Sequence, residues 1–321
     1  LRASSEAAEG LAFRALDLSR LPREEVQSLL AAGARYKQKV FSKGVFRLQQ
    51  DPSLADVRAC KTEAELETGI CIVTEQLKQE IQAARAARAA QSTTPRVERA
   101  RRGVKQAALP VIQRKLALVV GINKYDDKNI PELAGSVPDG RAVRQILDSR
   151  MGYETTVLEN ASREQIVRAL NKLALEAEAH DSVIVYYAGH GVLVPVDGVE
   201  TGYWLPSDVD SEAPASWLSN ADIARMVAAI SARQVMLVSD SCYSGQLVGK
   251  DRVQLSNASD ASDLLKRRAA VVMSSGGDEP VADTGREGHS VFAWHFMRAL
   301  EGLTQWQVGG SLYERVRAGV V

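Results

Sequence analysis

The chain has 321 residues, of which 45% are hydrophobic and 25% are charged, a composition typical of a globular protein. Lys and Arg together number 40, as do Asp and Glu, so the formal net charge is zero. This balance argues against general nucleic-acid binding, which depends on a large basic excess. No run of about 18 apolar residues occurs, so no membrane span is predicted.

The first part of the chain has helical periodicity. Apolar residues recur at three- and four-residue steps between residues 11 and 30, and again from Glu63 to Ile81. We predict a helical N-terminal region over residues 1–82, a candidate contact surface for a regulatory partner. Because the sequence begins with Leu1 rather than Met, we expect a fragment or a processed form.

Two of the three cysteines, Cys60 and Cys71, belong to this region. In an oxidising compartment they would pair and leave Cys242 as a free thiol, whereas in a reducing compartment both would be small core residues. Both alternatives stay open. The location is therefore undetermined, with a bacterial cytoplasm expected and a periplasmic or secreted location expected if the pair is bonded.

Residues 83–110 form a basic segment that we interpret as a linker. From residue 111 to 321, buried-type strands alternate with helical patterns. The apolar strands are predicted at residues 116–123, 182–189, 234–240 and 269–275, with helices at 139–149, 162–178, 220–230 and 290–300. Such alternation predicts an α/β domain with a mainly parallel sheet that is covered by helices on both faces.

Two reactive side chains follow predicted strands of this sheet. His190 lies in the AlaGlyHisGly turn, and Cys242 lies in AspSerCysTyrSerGly. The carboxyl ends of parallel strands meet at one edge of a sheet, where open α/β sheets bind ligands. Histidine is a suitable general base for a thiol, because only the thiolate is strongly nucleophilic. We predict Cys242 as nucleophile, with the backbone amides of Gly191 and Cys242 as an oxyanion hole.

At these residues the sequence resembles the caspase-like cysteine peptidases, above all the metacaspases and their bacterial relatives. The resemblance is carried by LALVVGIN, VYYAGHG, VSDSCYSG and GHSVFAWHFMRALEG, and it spans residues 116–316. The QACxG signature of animal caspases is absent. The resemblance implies a caspase-like α/β fold and a cysteine endopeptidase that acts on proteins or peptides.

The resemblance also implies a pocket for a basic side chain. Asp240 and Asp139 align with the family's two pocket acids, which favours arginine or lysine before the scissile bond. Without the resemblance, Asp139 is also interpretable as a helix N-cap and Asp240 as a turn residue. The family's small polar residue two positions before the histidine is Ala188 here.

The stretch that matches the family's calcium-binding acids is SNADI, with Asn220 and Ala221 in place of paired aspartates. Asp208 and Asp210 remain, too few for a calcium site of six oxygen ligands. We predict no cofactor and no metal requirement. Autoprocessing is common in this family, so basic residues of the chain itself are candidate cleavage sites. The candidates are Lys250, Arg252, Lys266, Arg267, Arg268 and the arginines between 96 and 102.

Two other interpretations remain open. The first is a catalytically silent caspase-like scaffold that recruits partners through its N-terminal region. The second is a peptidase with acidic specificity, for which Arg141 and Arg144 are the nearest basic residues, although periodicity places them on the exposed face of their helix. An AsnLysTyrAsp stretch at 123–126 resembles a guanine-reading motif, but the phosphate loop that a GTPase needs is absent from the sequence.

Overall fold

The computed structural model of the chain describes residues 45–48, 57–91, 112–196, 199–241, 248–253, 269–275, 287–303 and 309–320. Its helices are α1 (Glu63–Leu66), α2 (Glu75–Gln91), α3 (Ser136–Ser149), α4 (Arg163–Glu176), α5 (Asn220–Ala228), α6 (Val291–Glu301) and α7 (Gly309–Val320). Its strands are β1 (Val45–Leu48), β2 (Lys115–Gly121), β3 (Glu154–Glu159), β4 (Ser182–Ala188), β5 (Gly191–Val196), β6 (Val199–Trp204), β7 (Leu218–Ser219), β8 (Gln234–Asp240), β9 (Val248–Val253) and β10 (Ala269–Ser274).

The central sheet has five parallel strands in the order β10-β8-β4-β2-β3. Strand β4 lies between β2 and β8, and its seven residues are all buried. In the β4–β8 register, Ala188 at the end of β4 is opposite Asp240 at the end of β8. The two strands therefore end at the same level of the sheet.

Helices cover both faces of this sheet, as the strand–helix alternation predicted. On one face, Val183, Val185 and Tyr187 of β4 belong to a core with α4 and α5. On the other face, Ile184 and Tyr186 pack in a core with α3, α6 and α7. This partition follows from the two-residue period of a strand, which sends successive side chains to opposite faces. The predicted α/β class is confirmed.

The N-terminal segment 57–91 packs against the helices on the α4–α5 face. The backbone amide of Val57 donates to Asp222 of α5, and Asn171 of α4 bonds the backbone of Val73 and of Cys71. Buried Lys78 donates to the carbonyl of Ala229. These bonds join the segment to the α/β domain. The predicted boundary at residue 82 falls within helix α2.

The helical pattern from Glu63 to Ile81 does not correspond to one continuous helix. The segment instead contains two helices, α1 and α2, separated by a turn at Gly69, whose φ is +72°. A side chain at residue 69 would meet the carbonyl oxygen of Glu164 on α4. Cys60 and Cys71 are disulfide-bonded, with Cα atoms 5.0 Å apart, so the structure contains the bonded alternative.

A β-hairpin that periodicity did not reveal follows the histidine turn. Strands β5 and β6 pair antiparallel, with Gly191 opposite Trp204, and β7 extends them into a three-stranded sheet. This hairpin begins one residue after His190 and anchors the chain beyond β4. Within the described residues, no helix combines the length and the apolar character that a membrane crossing requires.

Candidate active site

His190 follows the carboxyl end of β4, and its backbone is held on both sides. Its N–H donates to the hydroxyl of Tyr125 at 2.8 Å. Its carbonyl accepts from the hydroxyl of Tyr187 at 2.9 Å and from the backbone N–H of Leu205 at 3.1 Å. At Gly189 a side chain would meet the Tyr187 hydroxyl at 2.7 Å, so this turn requires glycine. The histidine therefore has a fixed position at the sheet edge.

The imidazole of His190 is oriented by a backbone carbonyl. Its Nε2 lies 2.8 Å from the carbonyl oxygen of Pro131. A carbonyl accepts hydrogen bonds and does not donate them, so this contact requires the proton on Nε2. In the neutral ring, Nδ1 then carries the lone pair. The ring of Tyr125 also contacts the imidazole, with the centroids 5.0 Å apart.

The predicted nucleophile Cys242 lies outside the described residues, so its contacts are not part of this structure. The described chain reaches Ser241, one residue before it, and resumes at Val248. His190 follows β4 and Ser241 follows β8, and these two strands are neighbours, so both segments begin at the same edge of the sheet.

The structure brings the predicted pocket acids together. Asp139 lies in the first turn of α3 and Asp240 at the end of β8, and both are buried. Ser290 joins them, because its N–H donates to Asp139 at 3.1 Å and its hydroxyl donates to Asp240. The Ser290 hydroxyl also accepts from the N–H of Ala293, which makes Ser290 the N-cap of α6. The N-cap of α3 is Gly135, so Asp139 does not cap its own helix.

Burial and the nearby charge of Asp240 raise the pKa of Asp139 to about 7. The N–H of Ser290 and the imidazole of His289, whose Nδ1 is 2.5 Å from the carboxylate, act in the opposite direction. Since the burial effect is the largest, Asp139 is only partly ionised around neutral pH and gains its full negative charge above it. The charge of this buried carboxylate pair therefore depends on pH.

The comparison with protein families gives the classification of this arrangement. The profile of the family described as "Caspase domain" matches residues 114–321, which is more than half of the chain. The chain belongs to the caspase-domain family. The caspase-like classification that the motifs predicted is thus confirmed, and the family is one of cysteine peptidases.

Curated relatives of this caspase-domain chain are metacaspases. Metacaspase-9 of Arabidopsis thaliana is 25% identical over 169 residues, which are 48% of this chain and 50% of that protein. Metacaspase-7 of the same plant is 30% identical over 158 residues, 44% of this chain and 37% of that protein. Metacaspase-1 of Meyerozyma guilliermondii is 30% identical over 123 residues, 30% of either protein. The chain spans at most about half the length of these relatives.

A solved structure from Geobacter sulfurreducens superposes on the caspase-domain chain with a TM-score of 0.48 and 18% identity. The superposed part is 63% of this chain and 88% of the chain in the Geobacter structure.

The other predicted site residues are placed as follows. Gly191 is half-buried and is the first residue of β5. The backbone of Lys250 and Arg252 lies in β9, which pairs antiparallel with β1. The last three cleavage candidates, Lys266, Arg267 and Arg268, and the linker arginines between 96 and 102 lie outside the described residues. Arg141 and Arg144 are exposed, as predicted, and pair with Glu159 and Asp148.

The residues that position His190 were not predicted as site residues. Tyr125 lies in the AsnLysTyrAsp stretch, which resembles a nucleotide-binding motif and carries no signal that the tyrosine bonds a histidine backbone 65 residues away. Pro131 contributes only a backbone carbonyl, for which sequence carries no signal. Ser290 and His289 belong to the GHSVFAWHFMRALEG motif, so the sequence predicts their presence near the site but not their contacts with Asp139.

Proposed function

We propose that the protein is a cysteine endopeptidase in which Cys242 is the nucleophile and His190 the general base, and that it cleaves after arginine or lysine. The observation that carries this proposal is the parallel register that puts Ala188 opposite Asp240. His190 is two residues after Ala188, and Cys242 is two residues after Asp240. Since successive Cα atoms are about 3.8 Å apart, the chain keeps Cys242 within about 8 Å of the end of β8.

The chemistry follows from the orientation of His190. With the proton on Nε2, the Nδ1 atom is the base that removes the thiol proton of Cys242. The thiolate attacks the scissile carbonyl, and the backbone amides of Gly191 and Cys242 donate to the resulting oxyanion. When the intermediate collapses, the imidazolium returns the proton to the departing amine. Water then hydrolyses the thioester, with the same imidazole as base.

Basic specificity is supported by the charges around Ser290. Two buried carboxylates, Asp139 and Asp240, lie within hydrogen-bonding distance of this one residue, which concentrates negative potential there. Acidic specificity would need an arginine or a lysine that is not already paired with a carboxylate in the same place. Arg141 and Arg144 are exposed and form salt bridges with Glu159 and Asp148.

The deciding experiment is a peptide library varied at the residue before the cleaved bond, with the wild type, Cys242→Ala and His190→Ala compared. We expect cleavage after Arg and Lys by the wild type alone. Activity that survives in Cys242→Ala would refute the mechanism. A preference for acidic residues would refute the pocket assignment and leave the mechanism intact, whereas no turnover by the wild type would favour the scaffold alternative.

We also propose activity without calcium. Asn220 and Ala221, where the family has acids, are buried at the start of α5. An amide and a methyl group are a poor donor set for calcium, which prefers several carboxylates. Asp208 accepts from the N–H of Arg163 and Asp210 from the N–H of Glu212, so one oxygen of each carboxylate already has a protein donor. Among the described residues, no group of three metal-ligating side chains occurs.

Autoprocessing is the third part of the proposal. The segment with Lys250 and Arg252 is paired with β1, with Phe46 opposite Arg252. Peptidases bind extended chains, so this segment would have to leave β1 before cleavage. Mass spectrometry of purified wild-type and Cys242→Ala protein tests the idea: new termini after basic residues should occur in the wild type alone. Identical intact masses in both proteins would contradict autoprocessing.

A further inference from the structure

The two predicted pocket acids are buried in this structure, and a side chain of the protein itself hydrogen-bonds one of them. Asp139 is 1% exposed and Asp240 is 7% exposed. The imidazole of His289 hydrogen-bonds Asp139, with Nδ1 2.5 Å from Oδ1, and the His289 side chain keeps 23% of its surface exposed. A buried carboxylate thus meets a partly exposed donor that is able to carry positive charge.

The two described partners of Asp139 differ in how readily they can leave. Ser290 holds Oδ2 through its backbone N–H, and its side chain is the N-cap of α6. Removing Ser290 would therefore cost the cap as well as the bond. His289 holds Oδ1 through a side chain that precedes the helix and borders solvent. His289 is the partner that a ligand could displace by a change of side-chain rotamer.

We propose that His289 occupies the position that the basic side chain of a substrate takes up, so that substrate binding displaces the His289 imidazole from Asp139. The proposal rests on the basic specificity proposed above. His289 then acts as a specificity-determining residue: only a side chain that bonds the acid pair better than an imidazole enters the pocket, and neutral side chains are excluded.

The hydroxyl of Tyr186 indicates what such a ligand would gain. Tyr186 is fully buried, and its hydroxyl has no hydrogen-bond partner among the described residues. Burial and the charges of Asp240 and Asp139 raise its pKa, so it is close to the same acid pair. A guanidinium presents several N–H donors in a fixed plane, whereas the imidazole offers Asp139 a single one. Arginine is therefore suited to displace His289.

The experiment measures kcat and KM at pH 8 for two peptides that end in arginine and in citrulline, its neutral isostere. His289→Ala removes the occupant, and we expect the KM of the arginine peptide to fall about 3- to 10-fold, since a charge-assisted hydrogen bond no longer has to be broken. His289→Asn is the matched variant. Its side-chain amide can donate to the same oxygen, so its KM should stay close to that of the wild type. The change should be in KM rather than kcat, and the citrulline peptide should not benefit.

An unchanged or higher KM for the arginine peptide in His289→Ala would overturn the inference, as would an equal gain for citrulline. A second measurement avoids both turnover and any folding defect of the variants. Agmatine, the decarboxylated form of arginine, is added to Cys242→Ala protein while the imidazole ¹⁵N signals of His289 are followed by NMR. Saturable shifts are expected. If agmatine binds without these shifts, the role of His289 is refuted and the basic specificity is not. If agmatine does not bind and the wild type does not cleave after arginine, the basic specificity itself is refuted.

Discussion

The hydroxyl of Tyr125 provides the sharpest test of how the proposed general base, His190, is positioned. Tyr125 is 3% exposed, and its hydroxyl accepts the backbone N–H of His190 at 2.8 Å. Tyr125→Phe removes this acceptor and keeps the ring that packs against the imidazole. We expect a loss in kcat with little change in KM, because the substitution affects the placement of the base and not the acidic pocket.

The size of the loss follows from the hydrogen bond. An N–H left without an acceptor in a buried site costs about 1–3 kcal/mol. In Tyr125→Phe, the His190 backbone can relax to bond its N–H elsewhere, but the catalytic position leaves that N–H without an acceptor. Returning to this position then adds the cost to the activation barrier. One factor of ten in rate corresponds to about 1.4 kcal/mol, so kcat should fall roughly 5- to 140-fold.

A matched substitution controls for the general loss of a tyrosine hydroxyl. Tyr153 bonds Ser182 at 3.0 Å, and Ser182 is the first residue of β4, at the opposite end of the strand from His190. Tyr153→Phe should lower thermal stability without the loss in kcat. Steady-state kinetics on an arginine-ended peptide compare the two. Equal kcat values for both variants would refute the positioning role of Tyr125.

Four further outcomes are expected. Burial and Asp240 raise the pKa of Asp139 to about 7, so this carboxyl is largely neutral below that pH. The kcat/KM for arginine peptides should therefore rise as pH increases through 7, and Asp139→Asn should lose much of this rise. Adding EDTA should leave turnover unchanged, and a strict requirement for added calcium would contradict the calcium proposal. Replacing Cys60 and Cys71 with serine should lower the free energy of unfolding by about 2–4 kcal/mol in denaturant titrations, and no loss would argue that the bond does not form. Gly69→Ala should also destabilise the protein, since φ is +72° and the new Cβ would lie 2.1 Å from the carbonyl oxygen of Glu164; a melting temperature equal to that of wild type would contradict this packing.

The strands of the sheet were predictable because their signals are local. The strand predicted at 234–240 is observed with the same bounds, and the strand predicted at 182–189 is observed as Ser182–Ala188. Continuous apolar runs of this length can be stable only when buried on both faces, which in turn requires covering helices. The placement of His190 at a strand end followed from the same reasoning.

The contacts that orient the site were not predictable, because they join residues distant in sequence. The Pro131 carbonyl meets an imidazole 59 residues away, and Ser290 meets Asp240 across 50 residues. A backbone carbonyl has no sequence signature, and the N-cap role of Ser290 does not reveal that its hydroxyl also faces a carboxylate. The division of residues 63–81 into two helices depended likewise on a tertiary contact, that of Gly69 with α4.

The pairing of Cys60 with Cys71 depends on distances that sequence does not contain, since separation along the chain alone does not show whether two cysteines meet. The bond has a practical consequence for the site. Of the three cysteines in the sequence, Cys242 is the one outside this disulfide. A thiol reagent added to the oxidised protein therefore reports on the proposed nucleophile.

The rate of alkylation of Cys242 by iodoacetamide as a function of pH tests the proposed pair most directly. Only the thiolate reacts, so the midpoint of the profile reports the pKa of the thiol, which is near 8.5 for a free cysteine. If His190 is the partner of Cys242, the wild-type midpoint should lie well below that value, and His190→Ala should move it upward while slowing alkylation at neutral pH. Superimposable profiles for the wild type and His190→Ala would contradict the proposed pairing of the thiol and the imidazole.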